Sequence, residues 1–202
     1  MQMKKFLIVL LMMISLAAYA QEGSKNSFGV TAGAGSATVL RANLDGGPNL
    51  DLERGFDLGA NYYRQIGGKL KFETGLFYHY NRLIQTPAPN PDVPRIATHY
   101  DVHLLYLPAF LRLNLSKNFF VNGGVMADID MSNNMGLSTS RALSSQSGLG
   151  IGLGIGGEVA VFNTLYLQLN PYLNLHGALL VQRESYPGRI LDAGIKLGIR
   201  TR

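Results

Sequence analysis

Three groups of residues have side chains or spacings that could do chemistry. Gly152, Gly154 and Gly157 satisfy G-x-G-x-x-G, the spacing that lets a backbone wrap a pyrophosphate at the start of a helix. That chemistry requires a helix after the glycines and an acidic residue about 20 positions on. After Gly157 the chain instead runs EVAVF, a stretch suited to an extended strand, and no carboxylate stands at the required distance. The second group is His79, His103 and His176 with Asp101, Asp128, Asp130 and Ser185, expected together near the outer rim. A hydroxyl, an imidazole and an acid are the parts of acyl transfer or deacylation, and the same imidazoles and carboxylates are metal ligands. No spacing among them makes a triad or a metal motif, so no catalytic residue, metal site or cofactor is assigned. The third group is Lys71, Glu73, Arg112, Glu158 and Lys196, joined by Arg200, with Asp57, Asp128, Asp130 and Asp192 nearer one end. Charges sharing one interior must pair, so these residues predict a structural salt-bridge network.

The elements that position these groups are strands. Residues 148–162 read GLGIGLGIGGEVAVF, with Leu149, Ile151, Leu153, Ile155, Val159 and Val161 at odd positions and mainly glycine between them. After Asn163-Thr164 the run LYLQLNPYLNL has Leu165, Leu167, Leu169, Leu173 and Leu175 at odd positions and Tyr166, Gln168, Asn170, Tyr172 and Asn174 at even ones. A period of two belongs to a strand with one oily face and one polar or slender face. The same alternation recurs at residues 28–39, 55–65, 69–82, 100–115, 119–130 and 189–200. That makes eight strands, and the charged groups all fall on the polar faces.

The connections sort by length. Residues 40–54, 84–98, 131–146 and 181–188 are long and rich in turn residues, and the second holds Pro87, Pro89, Pro91 and Pro94. The three between them, at residues 66–68, 116–118 and 163–164, are tight turns. Strict alternation of long and short connections suits a membrane with two unlike sides: short turns and both termini in the periplasm, long loops outside. Aromatic residues fall at two levels on the oily faces, with Phe28, Tyr62, Phe72 and Phe119 at the turn end and Phe56, Tyr78 and Tyr80 at the other. Lipid interfaces select such girdles. The predicted fold is an all-β, eight-stranded antiparallel up-and-down transmembrane β-barrel.

Residues 1–20 have a basic start at Lys4 and Lys5, an apolar run and Ala18-Tyr19-Ala20, the pattern of a secretory signal peptide. The barrel domain is therefore expected over residues 21–202, exported to the outer membrane. There is no cysteine, which excludes disulfides, thiolate metal sites and a lipidated cysteine. Beyond the leader, 16 basic residues stand against 13 acidic ones, too even a balance to suggest nucleic acid. The chain carries 24 glycines, 10 tyrosines and 9 phenylalanines, a composition suited to a tightly curved sheet with aromatic belts.

The segment LLYLPAFLRLNLSKNFFVNGGV, residues 104–125, resembles the PorT-like outer-membrane β-barrel family in Tyr106, Leu107, Pro108, the turn at residues 116–118 and Gly123-Gly124. Ala109 after the proline and the non-aromatic end Ile199-Arg200-Thr201-Arg202 depart from that pattern. The resemblance implies an outer-membrane barrel and a role in secretion or surface assembly. The expected partners are outer-membrane lipid, the barrel assembly machinery and a protein met through the outer loops. A narrow solute channel and a lipid-modifying enzyme are the competing expectations.

Overall fold

Alternating sequence over most of the chain leaves few choices but strands, and the computed structural model has nine among the described residues. It describes residues 25–41, 49–88, 95–132, 143, 145–180 and 188–201; the expected signal peptide, Ser185 and the middle of the proline-rich loop lie outside the described residues. The strands are β1 (Asn26–Leu40), β2 (Asn49–Leu52), β3 (Arg54–Gly67), β4 (Leu70–Thr86), β5 (Thr98–Asn114), β6 (Phe119–Asp130), β7 (Gly148–Phe162), β8 (Leu165–Leu180) and β9 (Arg189–Thr201). Every pairing is antiparallel. The eight long strands run in the order β4-β3-β1-β9-β8-β7-β6-β5, and β5 pairs back onto β4 to close the barrel. Closure removes the sheet edges that an open sheet would leave unpaired.

The ninth strand is a difference from the expected plan. Residues 49–52 fall in a segment that reads as loop, yet they pair with the far end of β4, from Asn49↔Thr86 to Leu52↔Leu83. NLDL alternates, but a run of four between turn residues is too short for its period to stand out. β4 and β5 also continue past their expected limits, so the wall rises higher there.

Side chains are sorted inside out compared with a soluble barrel. Leu149, Ile151, Leu153, Ile155, Leu167, Leu169, Leu197 and Ile199 are exposed, while Arg112, Glu158, Lys196, Asp57 and His79 are buried. In water that arrangement would forfeit burial of the apolar side chains, each worth roughly 1.5–3 kcal/mol. In lipid the apolar wall faces its own kind, and backbone polar groups are satisfied between strands. The girdles form as expected: Phe28 packs on Tyr62 with ring centroids 5.2 Å apart, and Phe56 contacts Tyr78 and Tyr80 at 6.0 and 5.4 Å.

Two glycines hold backbone that other residues resist. Gly68, with φ 34°, turns the β3–β4 hairpin. Gly177, with φ 58°, lies where the β7–β8 register slips between Leu149↔Leu179 and Ile151↔Leu175. The slip is a bulge, and Gly177 donates its N–H to Asp128 Oδ2 at 2.9 Å.

Candidate functional site: the barrel lumen

The polar faces of the eight strands converge on one interior, and its side chains form layers. Nearest the short turns is an ion cluster around Glu158 on β7. Its carboxylate lies against the guanidinium of Arg112 on β5 and at 3.2 Å from Arg200 Nη2 on β9. Gln168 donates to it at 3.0 Å, Tyr63 donates to Gln168 at 3.1 Å, and Arg200 also donates to Ser27 Oγ at 3.0 Å. Arg112 stacks over the Phe120 ring, 3.4 Å from its centroid. A carboxylate with two guanidiniums in a closed interior satisfies itself by charge-assisted hydrogen bonds.

Above it Glu73 accepts from Asn122 at 3.0 Å and Asn61 at 3.3 Å, and Asn61 accepts from Thr31 at 2.7 Å. Next comes an aromatic layer of Phe77, Tyr106, Phe110 and Met126, with Phe77 stacked on Tyr106 at 5.0 Å. The void between these layers holds only about 30 Å³, room for about one water molecule.

Toward the long loops lies a second polar cluster. Asp57 accepts from Tyr106 at 2.9 Å and Tyr172 at 2.6 Å, and Lys196 Nζ donates to the Tyr106 hydroxyl at 2.8 Å. His79 Nδ1 is 3.3 Å from Asp57 Oδ1, and its Nε2 is 2.6 Å from Asn81 Nδ2. His176 Nδ1 is 3.0 Å from Asp128 Oδ1. Over this cluster Leu83, Val102, Leu104, Leu143 and Ile190 form an apolar cap, with Leu50 and Leu52 of β2 packed against it.

The sequence-predicted charges are divided between these layers. Arg112, Glu158 and Arg200 form the ion cluster, whereas Glu73 is held by amides and Lys196 by a tyrosine hydroxyl. Lys71 stands outside the layers, lining an open cavity of about 620 Å³ at the turn end with Lys25, Lys117 and Arg200. The histidine cluster expected at the rim does not form. His79 and His176 are buried in the lumen, their rings 5.3 Å apart, while His103 lies on the outer face, 2.6 Å from the Tyr78 hydroxyl. The odd and even positions of β5 face opposite ways, so His103 cannot join the other two. Tyr172, Asn81 and Gln168, which join the clusters, carried only one signal in sequence, their places on the inner faces, while Tyr106 also belongs to the stretch that carries the family resemblance.

Among solved structures, OprG of Pseudomonas aeruginosa is similar with a TM-score of 0.52 and 12% identity, over 87% of this chain and 95% of that one. Neisserial surface protein A gives 0.48 at 17% identity, over 86% of this chain and 96% of that one. The outer membrane protein AlkL gives 0.49 at 13% identity, over 88% and 90%. At such identities the likeness to OprG is one of fold, that of an outer-membrane barrel. No curated protein matches the chain. The sequence itself matches the outer membrane protein beta-barrel domain over residues 6–171, and with a closed eight-strand barrel wrapped around a polar lumen the chain belongs to that family.

Proposed function

We propose that this protein is a closed, non-catalytic barrel of the outer membrane that acts through its outer surface and loops, as a structural or docking element of the PorT-like kind in secretion or surface assembly. One observation carries the reading: above the open cavity at the turn end, the lumen is filled by an ion cluster, an aromatic layer, a second polar cluster and an apolar cap, around a void of about 30 Å³. A narrow eight-strand barrel leaves an interior that side chains can just fill. A solute path would have to displace several layers in series. The enzyme alternative loses support because His79 and His176 are buried in the lumen beneath the apolar cap and His103 lies on the other side of the wall.

Planar-bilayer recording of purified, folded protein tests the reading. No reproducible conductance steps are expected, and steps in the folded wild-type protein would overturn it in favour of a channel. A pull-down from native membranes with a tag in the loop at residues 84–98 is expected to recover an envelope protein. An altered lipid profile on deleting the gene would instead support the enzyme alternative.

A further inference from the structure

We propose that His79, His176 and Asp192 form a binding site for one divalent transition-metal ion of the zinc class inside the barrel. The three residues come from β4, β8 and β9, are all buried, and place their ligand atoms within 4.8 Å of one another. Two imidazoles and a carboxylate are a donor set that suits zinc and its neighbours. Ligands about 2.1 Å from a common tetrahedral ion lie roughly 3.4 Å apart, so the ion would draw these groups together by an ångström or so.

Unsatisfied atoms provide the independent argument. Buried polar groups are nearly always hydrogen-bonded. Yet His176 Nε2, Asp192 Oδ2 and Asn81 Oδ1 are all buried without a hydrogen-bond partner. His176 Nδ1 meets the Asp128 carboxylate at 3.0 Å, which holds the proton on Nδ1 and leaves a lone pair on Nε2. Asp192 Oδ2 is 3.7 Å from His79 Nδ1, too far for a hydrogen bond and near enough to share an ion. With metal on His79 Nδ1, the ring proton moves to Nε2, and turning the Asn81 amide lets Oδ1 accept it. One ion therefore satisfies His176 Nε2 and Asp192 Oδ2, and the Asn81 amide follows the tautomer of His79. Protonating the histidines does not, because no acceptor lies within hydrogen-bond reach of His176 Nε2.

Charge points the same way. The groups facing the site are the carboxylates of Asp57, Asp128 and Asp192, the ammonium of Lys196 and the hydroxyls of Tyr106 and Tyr172. With both imidazoles neutral the cluster holds two excess negative charges, which one divalent ion cancels. Such an ion would also act as a cross-brace, since β4 and β8 stand four places apart whichever way the eight-strand ring is followed.

Full-length mature protein refolded into detergent tests the site, with Co²⁺ added either after folding or during it and the excess removed by desalting. One equivalent of Co²⁺ is expected to remain, with visible d–d absorption that Zn²⁺ abolishes, and to raise the temperature at which the folded gel band is lost. Asp192→Asn, which keeps the shape, and His176→Ala are expected to lose the bound ion. Asp128→Asn should weaken binding by about 10- to 100-fold, as loss of a supporting partner does. His103→Ala, on the outer face, should bind as wild type. No retained metal in either arm, or equal retention by the His79→Ala/His176→Ala double variant, would overturn the proposal. A silent bilayer recording leaves the site standing, so the two tests fail separately.

Discussion

Glu158 shows how much a single buried charge is asked to do. Its carboxylate is the only one that ion-pairs with both Arg112 and Arg200 among the described residues, and all three side chains are buried. Removing one member of a buried ion cluster leaves its partners charged and dry, at a cost of about 3–5 kcal/mol, whereas an exposed pair contributes ~1 kcal/mol or less. Glu158→Ala is therefore expected to destabilise the barrel by roughly 3–5 kcal/mol in urea unfolding from lipid vesicles. A loss below about 1 kcal/mol would mean that the guanidiniums are solvated from the turn-end cavity. At this scale the alternation in sequence sets Arg112, Glu158 and Lys196 opposite the oily faces, and all three are buried. It could not say that Lys196 meets Tyr106 or that His79 meets His176, because contacts across a lumen depend on strand tilt and stagger, which no single strand encodes.

At the scale of the strand, depth matters more than exposure. Leu153, in the middle of β7, and Phe119, at the start of β6, are nearly equally exposed at 60% and 62%. In water an arginine at either would be tolerated alike. Across a bilayer, Leu153→Arg at midplane should cost about 2–4 kcal/mol and Phe119→Arg at the interface about 0–1 kcal/mol, read from the same unfolding measurement. Equal costs at the two sites would contradict the membrane placement. Strands were the most legible part of this chain because a period of two survives over ten or more residues. The features that escaped are those where the period is cut short or broken. β2 is four residues long, and the bulge at Gly177 falls just past Leu175, where the alternating run ends.

At the scale of the whole molecule, the plugs act in series, and that arrangement decides what mutation can do. Current through a pore meets each constriction in turn, so widening one layer leaves the others to block it. The aromatic layer of Phe77, Tyr106, Phe110 and Met126 lies between the Glu158 cluster and the cap formed by Leu83, Val102, Leu104, Leu143 and Ile190. Phe77→Ala with Phe110→Ala opens one layer and is expected to remain silent in planar bilayers. Adding Arg112→Ser, Glu158→Ser and Arg200→Ser removes the ion cluster, adding Tyr106→Ala and Tyr172→Ala thins the second polar cluster, and adding Leu83→Ser and Leu104→Ser loosens the cap. Only the combined variant should give discrete steps, provided its heat-dependent gel shift shows a folded barrel. Taking out all three charges of the ion cluster together avoids stranding a lone buried ion, which keeps the combined variant foldable. Steps already present in the aromatic double variant would mean that one constriction, rather than a stack of them, closes the lumen. The role assigned to the outer loops would then have to share the molecule with a gated path.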